Sequence, residues 1–370
     1  LREKLFYSVS HKMVSDVPVG AFLSGGFDSA VIVGIMAEIS DRPVDTFTIG
    51  FKEKSYDESG LADMIAKRNG TNQHVLTLDW NEAVKDIDTI LNNIDEPFAD
   101  PSLVASYAVS KMTREYVKVA LTGDAGDELF AGYNKYLMPY YGEKYKKIPK
   151  VVRKNLIEPT LRWMPGKNNL YRKINKVAMN ADLSTALQVK GMMCRAFNHN
   201  EAKQLLLNME VSNMNFIKEQ FDALSADKQK RMQYADFKVV LEGQMLPKVD
   251  RASMLASLET RIPMLDKDVI ELAFHIPTGF KISGRNRKII LKDAFRDKIP
   301  NELYKKSKHG FDVPVGVWLD GILKKEVDKY KSEEYLARQG LFSKYFIDTL
   351  VSEHKILDID WSTKLWSFFV

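Results

Sequence analysis

The loop 24–29, with the sequence Ser-Gly-Gly-Phe-Asp-Ser, combines residue types that bind phosphate. Gly25 and Gly26 let backbone amides approach an anion closely, and the serine hydroxyls add hydrogen-bond donors. The apolar run 28–37 predicts a helix directly after the loop, whose positive end would face the same anion. Asp28 would repel a polyphosphate unless a divalent cation lay between them, so we interpret Asp28 as a magnesium ligand. The loop therefore predicts a site for magnesium and a polyphosphate.

A second interpretation of this loop is a glycine turn that joins a strand to a helix. The loop lacks the Gly-Lys-Ser/Thr ending of a Walker A motif and the G-x-G-x-x-G spacing of a dinucleotide-binding loop. The choice between the two interpretations therefore depends on the rest of the chain.

The segment 122–128, Thr-Gly-Asp-Ala-Gly-Asp-Glu, is a second glycine-bearing loop with three acidic residues. Asp124, Asp127 and Glu128 repel one another unless they are solvated, bound to a metal or used for proton transfer. The alternative is an acidic helix N-terminus, which the helix dipole favours. Two acidic loops at neighbouring strand ends indicate a magnesium and polyphosphate site instead.

Both loops must be positioned by a sheet. Strand patterns cover 19–23, 44–51, 73–78 and 117–122, and helix patterns cover 28–37, 58–69, about 81–93 and 102–114. This alternation predicts an α/β fold in which parallel strands are joined by crossover helices. Ligands of such sheets bind beyond the carboxyl ends of the strands, where both loops fall.

The alternation stops near residue 136. The later segments 181–193, 200–209, 214–224, 226–243 and 320–331 have helix patterns. We therefore predict a nucleotide-binding part over 1–135 and a mainly helical second lobe over 136–370. The Tyr- and Lys-rich stretch 135–150 could be an RNA-binding surface, but a solvated connector is the better interpretation.

Composition excludes several classes of protein. The 370 residues are 45% hydrophobic and 28% charged, and 54 basic against 49 acidic residues give a net charge of +5, too mild to indicate nucleic-acid binding. Cys194 is the single cysteine, which excludes a disulfide or a zinc-binding cysteine cluster within the chain. No apolar run reaches the ~18 residues of a membrane span. We expect a soluble cytoplasmic protein, and the abrupt ends suggest a piece of a longer one.

The loop 24–29 matches the SGGxDS signature of ATP pyrophosphatases, and the chain resembles the synthetase domain of glutamine-hydrolysing asparagine synthetases. Five further segments carry that resemblance: 95–102, 122–133, 250–254, 257–266 and 308–311. It implies an adenine nucleotide alpha hydrolase-like sheet with ATP and Mg²⁺ as cofactors. It also implies that aspartate attacks ATP to give an acyl-adenylate and pyrophosphate, and that ammonia then gives asparagine and AMP.

The resemblance also assigns roles to single residues. Leu23 and Ile49 would contact adenine, and Asp28 and Asp127 would hold magnesium on the pyrophosphate. The remaining nucleotide-binding residues would be Ser24, Gly25, Gly26, Ser29, Thr122 and Gly123.

Two residues would be catalytic. Asp124, where some relatives have Glu, would accept a proton as ammonia attacks. Lys308 would neutralise charge on the phosphates, although without the resemblance it would be interpreted as a surface lysine. Arg251 and Arg261 are candidates for an anion clamp or for structural ion pairs.

Other functions remain open at this point. β-Lactam synthetases and peptide cyclases apply the same chemistry to other carboxylates and amines, and a nucleotide-binding module without catalysis is a third possibility. The N-terminal glutaminase domain of the full enzymes, with its catalytic cysteine, is absent from this chain. A glutaminase domain or subunit is therefore an expected partner, and an oligomer is possible.

Overall fold

The computed structural model describes residues 1–52, 57–163, 174–175, 177–178, 181–182, 196–197, 199–208, 215–304, 313, 315–356 and 362–370. The chain divides into two compact units, and each unit is built from two segments. The first unit comprises Leu1–Tyr133 and Phe237–Val313, and the second comprises Asn134–Asp236 and Pro314–Val370. The expected division after residue 135 treats the chain as two consecutive parts, whereas the first unit takes a segment from each half of the chain.

Within the described residues, the first unit contains a five-stranded parallel sheet. The strands are β1 (Val19–Phe22), β2 (Asp45–Phe51), β3 (Asn72–Leu78), β4 (Val119–Leu121) and β5 (Glu259–Arg261), in the spatial order β3-β2-β1-β4-β5. The predicted α/β class with a parallel sheet is confirmed. The chain moves outward from β1 to β3 and then returns to β4 on the other side of β1, which makes the β1/β4 boundary the topological switch point.

Strand β5 has no counterpart among the predicted strands. Its three residues, Glu-Thr-Arg, lack the apolar alternation that identifies a strand in sequence. It forms because Glu259, Thr260 and Arg261 pair in register with β4. This pairing is why part of the later chain belongs to the first unit.

Helices flank this sheet. The main ones are Arg2–Met13, Phe27–Ile39, Ser59–Asn69, Ser102–Arg114, Leu246–Leu255, Lys267–His275 and Ile289–Ala294, with short ones at Trp80–Ala83, Ile87–Asn92, Gly126–Leu129 and Thr278–Lys281. The helix predicted over 81–93 is divided into two short helices by a 3₁₀ turn, Val84–Asp86. The helix Phe27–Ile39 is buried at every residue from 28 to 36, as expected for a helix in the centre of a core.

A buried ion pair links two of these helical segments. Lys248 lies on the helix Leu246–Leu255, and its Nζ is 3.6 Å from Oδ2 of Asp100, which lies two residues before the helix Ser102–Arg114. Burial alone would raise the pKa of Asp100, but the charge of Lys248 and hydrogen bonds from Ser102 and Gln244 lower it below its ordinary value.

The second unit is helical in the part that the structure describes, apart from one isolated bridge between Leu206 and Phe342. Its α-helices are Met138–Lys146, Lys150–Val152, Glu158–Trp163, His199–Leu205, Asn215–Asp222, Lys228–Asp236, Val315–Asp320, Lys324–Tyr330, Glu333–Gln339, Lys344–Ile356 and Ser362–Phe369. The predicted mainly helical lobe is confirmed. Cys194 and most of the helix predicted over 181–193 lie outside the described residues.

None of the helices in the described ranges combines the length and the apolar character needed to cross a membrane.

Candidate nucleotide and magnesium site

The loop 24–29 follows β1 and leads into the helix Phe27–Ile39. Leu23 extends the strand pairing, because its amide donates to the Phe47 carbonyl of β2 at 2.8 Å. Ser29 closes the loop: its Oγ accepts from the Ser24 amide at 3.2 Å and donates to the Gly26 carbonyl at 3.2 Å. The loop is therefore a defined turn at the carboxyl end of the central strand.

Gly25 is required by packing beneath this turn. A Cβ at that position would lie 2.7 Å from the Leu61 Cβ and 3.0 Å from the Glu58 carbonyl oxygen. Since real Cβ atoms essentially never approach another heavy atom below 3.0 Å, only glycine fits against the start of the helix Ser59–Asn69.

The loop 122–128 follows β4 in the same way. The Thr122 amide donates to the Arg261 carbonyl of β5 at 2.9 Å. The Thr122 hydroxyl donates to Asp124 Oδ2 at 2.7 Å, which orients this partly exposed carboxylate. Ala125 has a left-handed backbone with φ of 69°, and the short helix Gly126–Leu129 begins directly after it.

Glycines of the second loop allow it to touch the first. A Cβ on Gly123 would lie 2.5 Å from the Ser29 backbone nitrogen and 2.7 Å from the Asp28 carbonyl carbon. A Cβ on Gly126 would overlap the Asp28 side chain. The two loops that the sequence singles out are therefore in direct contact at the switch point of the sheet.

Asp28 and Asp127 share one cation, the Lys288 ammonium. The two aspartates are 7% and 8% exposed, and Lys288 is 3% exposed. Lys288 Nζ is 2.5 Å from Asp127 Oδ1 and also forms an ion pair with Asp28 Oδ2. The sequence interpretation missed Lys288; the available signal was the basic run 285–288, with Asn286 inside it, directly before an apolar helix.

Lys288 is positioned by a small hairpin, Ile282–Ser283 paired with Asn286–Arg287. The last residue of the hairpin, Arg287, directly precedes Lys288, and its Nη1 donates to the Gly132 carbonyl at 2.9 Å. Gly132 also leaves room for the ion pair, because a Cβ there would overlap Asp127 Oδ1 and Lys288 Cε. Glycine at 132 thus allows the lysine to reach the two aspartates.

The donor set at this point suits magnesium. Asp28 and Asp127 supply hard carboxylate oxygens, and the ammonium between them demonstrates that a cation fits there. Across the described ranges, no group of three or more His, Cys, Asp or Glu side chains could hold a metal ion. A site of one or two carboxylates, completed by phosphate and water oxygens, is typical of Mg²⁺.

Further positive charge surrounds the pair. Lys292 lies one helical turn after Lys288, and its Nζ is 4.4 Å from the centroid of the Phe27 ring in the first loop. The pKa of Lys292 is lowered from its ordinary value by burial first, then by the charges of Arg287 and Lys288, while Asp28 opposes the shift. A polyanion bound here would relieve this repulsion.

The remaining predicted residues are distributed as follows. Leu23 and Ile49 are buried on neighbouring strands, and the Thr48 hydroxyl between those strands donates to the Leu23 carbonyl at 2.9 Å. Lys308 lies outside the described residues. Of the two arginine candidates, Arg261 donates to the Lys12 and Val14 carbonyls and to Glu259, so its guanidinium fastens the start of the chain to β5.

Arg251, the other arginine candidate, lies on the helix Leu246–Leu255, and its Nη2 is 4.0 Å from the exposed Asp95 carboxylate. This distance is at the outer limit of an ion pair. Neither arginine contacts Asp28 or Asp127 in the described contacts.

Comparison with known proteins gives consistent matches. The family model described as Asparagine synthase matches residues 1–370. Asparagine synthetase [glutamine-hydrolyzing] 1 of Bacillus subtilis is 31% identical over 377 residues, covering 100% of this chain and 58% of the relative. Asparagine synthetase [glutamine-hydrolyzing] 3 of the same organism is 23% identical, covering 90% and 53%. An amidase of Penicillium rubens is also 23% identical, covering 92% and 56%. The chain thus spans about half the length of these curated relatives.

Proposed function

The chain belongs to the asparagine synthase family, and we propose that it forms an amide bond with ATP through an acyl-adenylate. The family comprises ATP-binding ligases of asparagine biosynthesis. The substrates we propose are aspartate, ATP and ammonia, and the products are asparagine, AMP and pyrophosphate. The observation that carries the proposal is the buried Asp28–Asp127 pair, held around a cation where two glycine loops meet.

In this proposal the loops 24–29 and 122–128 contact the polyphosphate from two sides. The Gly25 and Gly26 amides, the Ser24 hydroxyl and the helix N-terminus at Phe27 would donate to phosphate oxygens. The Ser29 hydroxyl would join them by turning away from the Gly26 carbonyl. Thr122 and Gly123 bound the same space from the second loop. Asp28 and Asp127 would hold Mg²⁺, which when bound neutralises charge on the pyrophosphate. These residues thereby favour departure of pyrophosphate from the α-phosphorus.

Two further residues would act on the reacting groups. Ammonia that attacks the acyl-adenylate must lose a proton to become an amide, and Asp124 is the proposed acceptor. Its carboxylate is partly exposed and oriented by the Thr122 hydroxyl, which suits a group that has to meet a diffusing amine. Lys308 is proposed to stabilise the phosphates, while Leu23 and Ile49 are proposed to contact adenine.

Two of the relatives are named as glutamine-hydrolysing enzymes and are longer than this chain, which supports glutamine as the nitrogen source. We propose that a glutaminase domain or subunit supplies ammonia to this site in the cytoplasm. The chemistry could act on another carboxylate or amine, since an amidase is also among the relatives.

ATP–pyrophosphate exchange, measured with a panel of carboxylic amino acids, tests the proposal. We expect exchange that depends on aspartate and is lost in Asp28→Ala, with Asp63→Ala, an exposed aspartate on the helix Ser59–Asn69, as the matched control. Exchange that depends on a different carboxylate would identify that carboxylate as the substrate in place of aspartate. Absence of exchange with every carboxylate would leave a nucleotide-binding module and overturn the enzymatic proposal.

A further inference from the structure

The Lys288 ammonium lies where the proposed function requires a divalent cation. Its Nζ contacts both Asp28 Oδ2 and Asp127 Oδ1, and all three side chains are buried. Removal of one partner from such a buried charge cluster leaves the others uncompensated. The lysine therefore stabilises the two carboxylates in the protein without ligand.

We propose that Lys288 is an internal counter-ion that keeps Asp28 and Asp127 closed to a divalent cation until a polyphosphate binds. This inference rests on the proposed function of the same two aspartates. A divalent cation entering alone would have to displace the buried ammonium or lie against it, and charge repulsion is strong in a buried site. A polyphosphate supplies the negative charge that the displaced ammonium needs. Metal and nucleotide should therefore bind together.

The backbone around Lys288 is suited to such an exchange of partners. Residue 288 has a left-handed backbone with φ of 54°, between the hairpin and the helix Ile289–Ala294. The hydrogen bond from Arg287 to the Gly132 carbonyl fixes the chain just before it. Lysine carries its charge on a flexible four-carbon stem, so the ammonium can move while the Cα stays in place.

Lys292 provides a matched control for this inference. It lies on the helix Ile289–Ala294, which begins directly after Lys288, and it carries the same charge. Its pKa is lowered by burial first and then by the charges of Arg287 and Lys288. Its described contact is with the Phe27 ring rather than with either carboxylate. A Lys292→Gln variant therefore removes one nearby positive charge and leaves the shared ion pair intact.

Binding of Mn²⁺ to the ligand-free protein, followed by the electron paramagnetic resonance signal of the free ion, tests the inference directly. We expect Lys288→Gln to bind Mn²⁺ at least about tenfold more tightly than the wild type. Lys288→Arg, which keeps the charge, should stay within about threefold of the wild type. Lys292→Gln, which leaves the shared ion pair in place, should gain much less Mn²⁺ affinity than Lys288→Gln. Equal Mn²⁺ affinity in the wild type and Lys288→Gln would overturn the inference.

Thermal unfolding gives a second measurement for the case in which Lys288→Gln is poorly folded without metal. Millimolar MgCl₂ should raise the melting temperature of that variant, relative to KCl at the same ionic strength, and leave the wild type unchanged. A wild type that gains as much stability from MgCl₂ as the variant would contradict the inference.

The two proposals can fail separately. The expected metal response without ATP–pyrophosphate exchange would reject the amidation chemistry and retain the counter-ion role. Exchange in the wild type, combined with equal metal binding in the variants, would retain the chemistry and reject the counter-ion role.

Discussion

Substitution of Gly123 by alanine should separate the two loops of the site, because the new Cβ would meet backbone rather than a movable side chain. Its nearest atoms would be the Ser29 nitrogen at 2.5 Å and the Asp28 carbonyl carbon at 2.7 Å. The Gly123 φ is not in the left-handed region, so the effect is one of space and not of backbone conformation.

The magnitude follows from these distances. Ordinary contact begins at 3.4 Å, so the two backbones would have to move apart by about 0.9 Å at the closest point. Overpacking of this kind costs about 1–3 kcal/mol of unfolding free energy. A displacement near 1 Å between groups that act together can lower a rate about a hundredfold. Since a folded domain is stable by about 5–15 kcal/mol, the variant should stay folded while its activity falls about a hundredfold.

Urea unfolding and ATP–pyrophosphate exchange of Gly123→Ala measure the two effects. Gly60→Ala is the matched control, because Gly60 is exposed in the helix Ser59–Asn69 and a Cβ there meets nothing within 4 Å. That control should be stabilised by up to about 1 kcal/mol and keep full exchange. If Gly123→Ala retained exchange within about twofold of the wild type, the close approach of the loops would not matter for function and the reasoning would be refuted.

Two further predictions concern single carboxylates. Asp124→Asn should retain ATP–pyrophosphate exchange but lose about a hundredfold or more in amide formation from ammonia, because the proposed proton acceptor acts after the adenylate forms; equal loss in both assays would contradict that role. Lys248→Met should destabilise the protein by about 3–5 kcal/mol because Asp100 stays buried without its partner, whereas Lys111→Met, at an exposed pair, should change stability by under about 1 kcal/mol. Because the pKa of Asp100 is lowered in the folded protein, this carboxylate stabilises the folded state fully at pH values above its ordinary pKa of about 3.9. That contribution to the unfolding free energy is lost as pH falls below this value. Lys248→Met removes the charge that lowers this pKa, so the unfolding free energy of the variant should fall less than that of the wild type as pH drops below about 3.9; superimposable pH profiles would refute the assignment.

The central strands and the helix Phe27–Ile39 could be predicted because a buried element consists of a continuous run of apolar residues, which is visible in the local sequence. Strands β2 and β4 are buried along most of their length, the two middle residues of β1 are buried, and the helix is apolar on all sides. Continuous apolar runs bounded by glycine or proline identify such elements without any tertiary information. The boundary of the first unit could not be predicted in this way, because β5 forms through pairing with β4 and its own residues are polar.

The candidate site shows the same contrast at the level of single residues. Each of the loops 24–29 and 122–128 contains its glycines and acids within seven residues or fewer, so local sequence alone indicated phosphate and metal chemistry. Strand order then brings the loops into contact, since β1 and β4 are neighbours although about a hundred residues separate them in the chain.

What the sequence by itself determined is the set of groups in the two loops and the parallel sheet that presents them at its carboxyl edge. Only the tertiary structure decided that Asp28 and Asp127 share a charge partner and that this partner is Lys288. The physical reason is that a buried carboxylate pair needs a cation from whichever segment the fold brings near, and 260 positions separate Lys288 from Asp28. No local pattern specifies a contact of that range.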